Sequence, residues 1–121
     1  MYLRFQGQIP NLGTPSKLGI FQLAFELRDR PDTPDDAVQE LQKNLGWLKM
    51  HLKSPKVLRE EGNERAISWF KSGAKEPLKR IWSIKTILED FGYRIEFIKT
   101  KDPGRIIYED GWQVVAKPHK R

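Results

Sequence analysis

The sequence predicts an α+β fold in which three helices pack on a small, mostly antiparallel sheet of four to five strands that ends in a C-terminal β-hairpin. Three observations predict it. Apolar residues recur at helical spacing in three segments, they alternate with polar residues in several shorter segments, and an Asp-Gly pair separates the last two of these. The length of 121 residues fits one domain, residues 1–121, with a short basic tail at 118–121.

The three predicted helices have recognisable starts and stops. Residues 19–30, GIFQLAFELRDR, are apolar around most of the circumference, which is typical of a helix in a core. Pro31 ends it, and Thr33-Pro34-Asp35-Asp36 begins a second helix with a cap, a proline and an acidic first turn. The second helix carries a core-facing stripe of Val38, Leu41, Leu45, Leu48 and Leu52. The third covers about 74–91 and stops at Gly92.

Alternating segments predict the strands. Residues 2–5 place Leu3 and Phe5 on one side, and residues 93–99 place Tyr93, Ile95 and Phe97 on one side. Residues 65–70 also alternate, which favours a strand buried on at least one face, but a helical turn is a competing interpretation. The sequence leaves that choice open.

The last strands form a predicted hairpin around Asp110-Gly111, a favoured pair for a two-residue type I′ turn. Such a turn would pair Glu109 with Trp112, Tyr108 with Gln113, Ile107 with Val114 and Ile106 with Val115. Apolar pairs then occupy the middle of both faces. We therefore expect a hairpin base that is covered on both sides and a polar, aromatic tip that emerges from it.

Three aromatic residues are candidates for contact with a partner: Trp47, Tyr108 and Trp112. Trp47 lies away from the core-facing stripe of its helix, so it is either covered by the N-terminal loop or a linker, or exposed for a partner. Tyr108 and Trp112 lie close to the hairpin tip. We expect Trp47 and Trp112 to be at least partly accessible to solvent, and Trp69 and Trp82 to be protected.

The net charge of +6 belongs to the second half of the chain, since residues 65–121 sum to +6 and residues 1–64 sum to zero. A solvated basic surface explains this asymmetry, and a site for nucleic acid is the alternative. Aromatic residues alternate with cations in the C-terminal sheet, and base stacking with phosphate neutralisation requires that combination. The candidate nucleic-acid-binding residues are Arg94, Lys99, Lys101, Arg105 and Lys117.

Familiar chemistry has little support in the sequence. The chain has no cysteine, and its two histidines, His51 and His119, show no ligand spacing with carboxylates, so neither a metal site nor a cofactor is expected. The acidic pairs at 60–61, 89–90 and 109–110 are adjacent in sequence, which points the two carboxylates apart rather than into one cleft. These features argue against an enzyme.

The expected function is that of a small non-enzymatic protein, an interaction or regulatory module, with RNA or single-stranded DNA binding as the alternative. The partner would be an unknown protein or a second copy of the chain. No window reaches about 18 apolar residues and the first residues lack the pattern of a signal peptide, so we expect no membrane association and a cytoplasmic protein.

Overall fold

The computed structural model describes residues 1–10 and 17–119 and confirms the α+β fold. Its three helices are α1 (Ile20–Asp29), α2 (Asp35–His51) and α3 (Lys75–Asp90). Its strands are β1 (Tyr2–Gln8), β2 (Leu18–Gly19), β3 (Ile67–Lys71), β4 (Arg94–Thr100), β5 (Arg105–Glu109) and β6 (Gln113–Lys117), and a short 3₁₀ turn covers Lys56–Arg59. Residues 120–121 of the predicted basic tail lie outside the described residues.

The sheet is antiparallel at every pairing, and its longer strands follow the order β4, β1, β3, β6, β5. The two-residue β2 lies beside β1 on the same side as β3, because β1 pairs with β3 at Tyr2 and Leu3 and with β2 at Gln6 and Gly7. β1 is longer than the predicted residues 2–5. The open choice at 65–70 resolves to a strand, β3, which begins at Ile67.

The short connection between the two edge strands shows that the sheet is curled. From Thr100 to Arg105 the chain can span at most about 18 Å. In a flat sheet β4 and β5 would lie about 19 Å apart, and these two residues would also sit at opposite ends of the sheet. The sheet must therefore curl so that its edges approach. The connecting segment is residues 101–104, and Pro103 within it is buried.

Apolar side chains are buried on both faces of the curled sheet. The helices cover the main core, to which β1 contributes Leu3 and Phe5 and α3 contributes Ile81, Ile84 and Leu88. The helix-free face carries a smaller cluster built around Trp69, Val114 and Ala116. Trp69 is 9% exposed, so the prediction that it is protected is confirmed.

The hairpin turn differs from the prediction. Glu109 pairs with Val114 and Tyr108 with Val115, which moves the register near the tip by two residues, and an irregularity near Ile107 reduces the shift to one residue at the base, where Ile106 pairs with Ala116. The Asp110 N–H donates to the Gln113 carbonyl at 2.9 Å, so the turn residues are Gly111 and Trp112. Because a slip of two residues keeps each side chain on its face, both apolar faces near the tip are retained.

Candidate functional site

The Asp110 carboxylate determines where the hairpin turns. Its Oδ1 atom accepts hydrogen bonds from the N–H groups of Trp112 and Gln113, both at 2.9 Å, and its Oδ2 atom accepts one from the Tyr108 hydroxyl at 2.7 Å. Burial alone would raise the pKa of Asp110, but these hydrogen bonds together outweigh it and hold the pKa below its usual range. The hydrogen bond to Asp110 raises the pKa of Tyr108. Asp110 therefore has a structural role in the turn.

This turn fixes Trp112 in place. Its N–H bonds to Asp110, and its carbonyl accepts a hydrogen bond from the N–H of Lys71 in β3 at 2.8 Å. The neighbouring Gln113 side chain donates to the Lys53 carbonyl at 2.6 Å, which ties the hairpin tip to the chain just after α2. The backbone that carries the Trp112 indole is thus held from two sides.

The structure brings Trp112 to Trp47, although one lies in the hairpin turn and the other on α2. Their ring centroids are 5.8 Å apart with an interplanar angle of 32°. His51, one helical turn after Trp47, stacks on it at 4.2 Å and 14°. His51 Nδ1 lies 2.8 Å from the Trp47 carbonyl oxygen, which can only accept, so Nδ1 carries the proton.

An arginine from α3 completes this arrangement. The guanidinium of Arg80 lies 5.2 Å from the centroid of the Trp47 ring, within the range of a cation–π interaction. Asn44, which is 4% exposed, accepts a hydrogen bond from Arg80 Nη1 at 3.4 Å and donates to Ser83 at 3.3 Å. Asn44 thereby links α2 to α3 and holds Arg80 above the indole.

We call Trp47, His51, Arg80 and Trp112 the Trp47–Trp112 surface. Trp47 and Trp112 are both partly exposed, as predicted, and Trp47 is contacted by Trp112 of the hairpin tip, by His51 and by Arg80. Beside them lies a shallow cleft of about 280 Å³ between the end of α2 and the turn. Its lining consists of His51, Leu52, Lys53, Asp110, Gly111 and Trp112. A cleft of this size suits one side chain of a partner better than an enclosed ligand.

Tyr108 supports this surface indirectly. Its hydroxyl bonds to Asp110, and its strand position pairs with Val115, on the face that the helices cover. It is therefore a positioning residue for the turn that carries Trp112.

Arg80 and His51 were not predicted as site residues. The helical spacing determines on which face of α2 or α3 each residue lies. The contact between α2 and α3, which brings Arg80 to Trp47, is not visible in the sequence.

The five candidate nucleic-acid-binding residues do not form one group. Lys99, Lys101 and Arg105 lie within or next to the chain that connects β4 to β5, Lys117 pairs with Arg105, and we call these four residues the basic end. Arg94 begins β4, roughly 20 Å from the other end of that strand. Arg105 and Lys117 are directly opposite each other in the hairpin, which is an unfavourable pairing of like charges.

The basic end also contains an acidic residue and a histidine. The Asp102 carboxylate accepts a hydrogen bond from the Gly104 N–H at 3.0 Å and lies 2.8 Å from His119 Nε2. These two contacts, the first the stronger, lower the pKa of Asp102. Both side chains are about two-thirds exposed, so the pair is a surface contact and has no enclosed site around it.

Trp82 contradicts the prediction that it is protected, because it is 43% exposed. Its ring stacks on Phe97 of β4 at 5.0 Å and meets the edge of Phe5 at 5.1 Å. β4 is an edge strand, so the part of the indole that extends beyond Phe97 remains in solvent. The apolar spacing of α3 could not show that Trp82 packs at the edge of a sheet.

Across residues 1–10 and 17–119, no three His, Asp or Glu side chains are grouped as ligands of a metal ion. In the same residues, none of the helices has the length and apolar character needed to cross a membrane. Comparison with protein-family models, with curated proteins and with solved structures finds no match to this chain.

Proposed function

We propose that this chain is a non-enzymatic cytoplasmic protein that acts as an interaction or regulatory module and binds a partner protein through the Trp47–Trp112 surface. The observation that carries the proposal is the contact between two partly exposed tryptophans, 5.8 Å apart, beside a cleft of side-chain size. Tryptophan and arginine are the residue types most enriched among those that dominate binding energy. Both are present at this surface.

The rigidity of the surface supports the same proposal. Trp112 is held through its backbone N–H and carbonyl groups, and Trp47 lies between His51 and Arg80. A surface that is already ordered loses little conformational entropy when it binds a partner. Met50 lies one helical turn after Trp47 and is 83% exposed, so it extends the apolar area beyond the cleft.

The experiment is affinity capture from the source cell with the native chain and matched variants as baits. Trp47→Ala and Trp112→Ala should each lose a partner that the native chain recovers. Met50→Glu should lose it too, without any cost to the core, because this side chain is almost fully exposed. Phe25→Ala removes an aromatic ring of 43% exposure from α1 and should keep the partner. Retention of the partner by all three surface variants, or recovery of none by the native chain, would refute the proposal.

Self-association through the same surface is distinguished by sedimentation. A second copy as the partner would give a native dimer and monomeric Trp112→Ala and Met50→Glu variants. A monomer at all concentrations would leave another protein as the partner.

A second candidate function is binding of RNA or single-stranded DNA at the basic end. The observation that favours it is the direct pairing of Arg105 with Lys117, since two adjacent cations would gain from a shared phosphate. Binding of an oligonucleotide should weaken steeply between ~50 and ~200 mM salt. The triple change of Lys99, Lys101 and Arg105 to Glu should abolish it. The absence of binding at low salt would remove this candidate.

A further inference from the structure

We propose that the outer edge of β4 binds an extended, acidic segment of another protein, which adds to the sheet as a further strand. β4 pairs with β1 through all seven of its residues, and within the described parts of the chain it has no other strand partner. Half of its backbone N–H and C=O groups point away from β1 because donors and acceptors alternate in an antiparallel pair. These groups are available to an incoming strand.

The two edges of the sheet differ in this respect. The register of β4 on β1 is continuous from Arg94 to Thr100, so its edge is regular along the whole strand. β5, at the opposite edge, has an irregular pairing between Ile106 and Tyr108 that interrupts its edge. Bulges of this kind protect an edge against pairing with other chains. Only the β4 edge offers a continuous template among the strands described.

The charge along β4 determines the chemistry of the segment. Arg94, Lys99 and the adjacent Lys101 are exposed, and none has an ion-pair partner within the described residues. The one acid of the strand, Glu96, accepts hydrogen bonds from Lys17 at 2.6 Å and from Gln6 at 2.9 Å. These contacts, the first the stronger, lower the pKa of Glu96 and turn its carboxylate toward β1. An incoming strand therefore meets uncompensated positive charge.

The aromatic pair beside the edge supplies an apolar contact for the segment. Phe97 of β4 and Trp82 of α3 stack on each other at 5.0 Å, on the face that the helices cover. Alternate side chains of an added strand would point to this face and lie against the exposed part of Trp82. A segment that alternates acidic and apolar residues satisfies both features of the edge.

The same geometry argues against two other occupants. Base stacking needs a free ring face, but the ammonium groups of Lys99 and Lys85 lie 5.4 and 5.3 Å from the ring centroids of Phe97 and Trp82. Because these rings stack on each other, the lysines lie against their outer faces. A second copy of the chain would bring the cations of two β4 strands together, which is unfavourable.

The test uses a fluorescently labelled eight-residue peptide of alternating Glu and Val, with a Lys-Val peptide as the charge control. A third peptide has the Glu-Val sequence with alternate backbone nitrogens methylated, which removes the donors that strand addition requires. We expect the Glu-Val peptide to bind at ~50 mM salt and to weaken at ~200 mM. The Lys-Val and methylated peptides should bind at least about tenfold more weakly.

Protein variants separate this edge from the Trp47–Trp112 surface. The double change Lys99→Glu and Lys101→Glu should weaken the Glu-Val peptide about tenfold or more. Lys49→Glu, an exposed cation of α2, makes the same kind of charge change elsewhere and should have little effect. Met50→Glu should also bind the peptide normally, so failure of one proposal does not imply failure of the other.

Hydrogen exchange gives the structural readout. The amides of Arg94–Thr100 that point away from β1 should exchange more slowly in the presence of the Glu-Val peptide. Equal binding of the methylated peptide, unchanged exchange along β4, or no binding at low salt would each overturn the proposal. Binding of an oligouridine probe at β4 in place of the Glu-Val peptide would also overturn it and would assign the edge to nucleic acid.

Discussion

A double-mutant cycle on Trp47 and Trp112 should show that the hairpin tip is docked on α2. The changes are Trp47→Ala, Trp112→Ala and both together. An aromatic pair at this separation, 5.8 Å, contributes about 0.5–1.5 kcal/mol beyond the area it buries, and the cycle isolates this coupling. Each single change should cost about 2 kcal/mol, which is half of a typical loss at a core tryptophan because both rings are partly exposed.

The assay is urea unfolding followed by far-ultraviolet circular dichroism, since tryptophan fluorescence would change with the variants themselves. Trp47 and Trp82 provide the control cycle, because Trp47 contacts Arg80 on one flank of α3 and Trp82 lies on the other flank. That control should give a coupling within about 0.3–0.5 kcal/mol of zero. A coupling between Trp47 and Trp112 no larger than the control would refute the docked tip and with it the Trp47–Trp112 surface.

Three further changes test individual contacts of the fold. Gly104→Ala should destabilise the chain by at least about 3 kcal/mol in urea unfolding, because φ is +112° there and the added methyl would collide with the Lys117 carbonyl oxygen; an unchanged midpoint would contradict this close approach of residue 104 to β6. Asp110→Ala should cost about 1–3 kcal/mol and increase acrylamide quenching of Trp112, because two N–H groups lose their acceptor; unchanged quenching would mean that the turn is held in another way. Burial and the hydrogen bond to Glu26 raise the pKa of Tyr93 to about 12, so the stability that its neutral form contributes is complete below pH ~10 and is lost as the pH rises toward 12. Tyr93→Phe should therefore reduce the alkaline loss of stability, and an identical alkaline limb in both proteins would show that Tyr93 is not its source.

Periodicity predicted the elements because each one is set by local chemistry. On α2 the spacing of Leu41, Leu45 and Leu48 identified the buried stripe, and all three are at most 7% exposed. On β1 the alternation of Leu3 and Phe5 identified the core side. A large apolar residue outside such a pattern, such as Trp47, is expected to pack against another element. The pattern does not identify that element.

The predictions of the hairpin turn and of the burial of Trp82 were wrong because a side chain or a tertiary contact overrides a local preference. Asp-Gly favours a type I′ turn at those two residues, yet the Asp110 carboxylate accepts two N–H groups that follow it and moves the turn onward by one residue. Trp82 lies in an apolar arc, and its exposure follows from the position of β4 at the sheet edge. The spacing of apolar residues along one helix does not reveal the order of the strands in the sheet.

The most direct test of the Trp47–Trp112 surface is photo-crosslinking in the source cell from position 50. A photoreactive phenylalanine derivative at this exposed site, one turn after Trp47, would lie next to a docked partner. Position 36, exposed at the other end of α2, provides the control. We expect a discrete adduct from position 50 that is absent from position 36 and is lost with Trp112→Ala. No adduct from position 50, or the same adduct from both positions, would contradict the account.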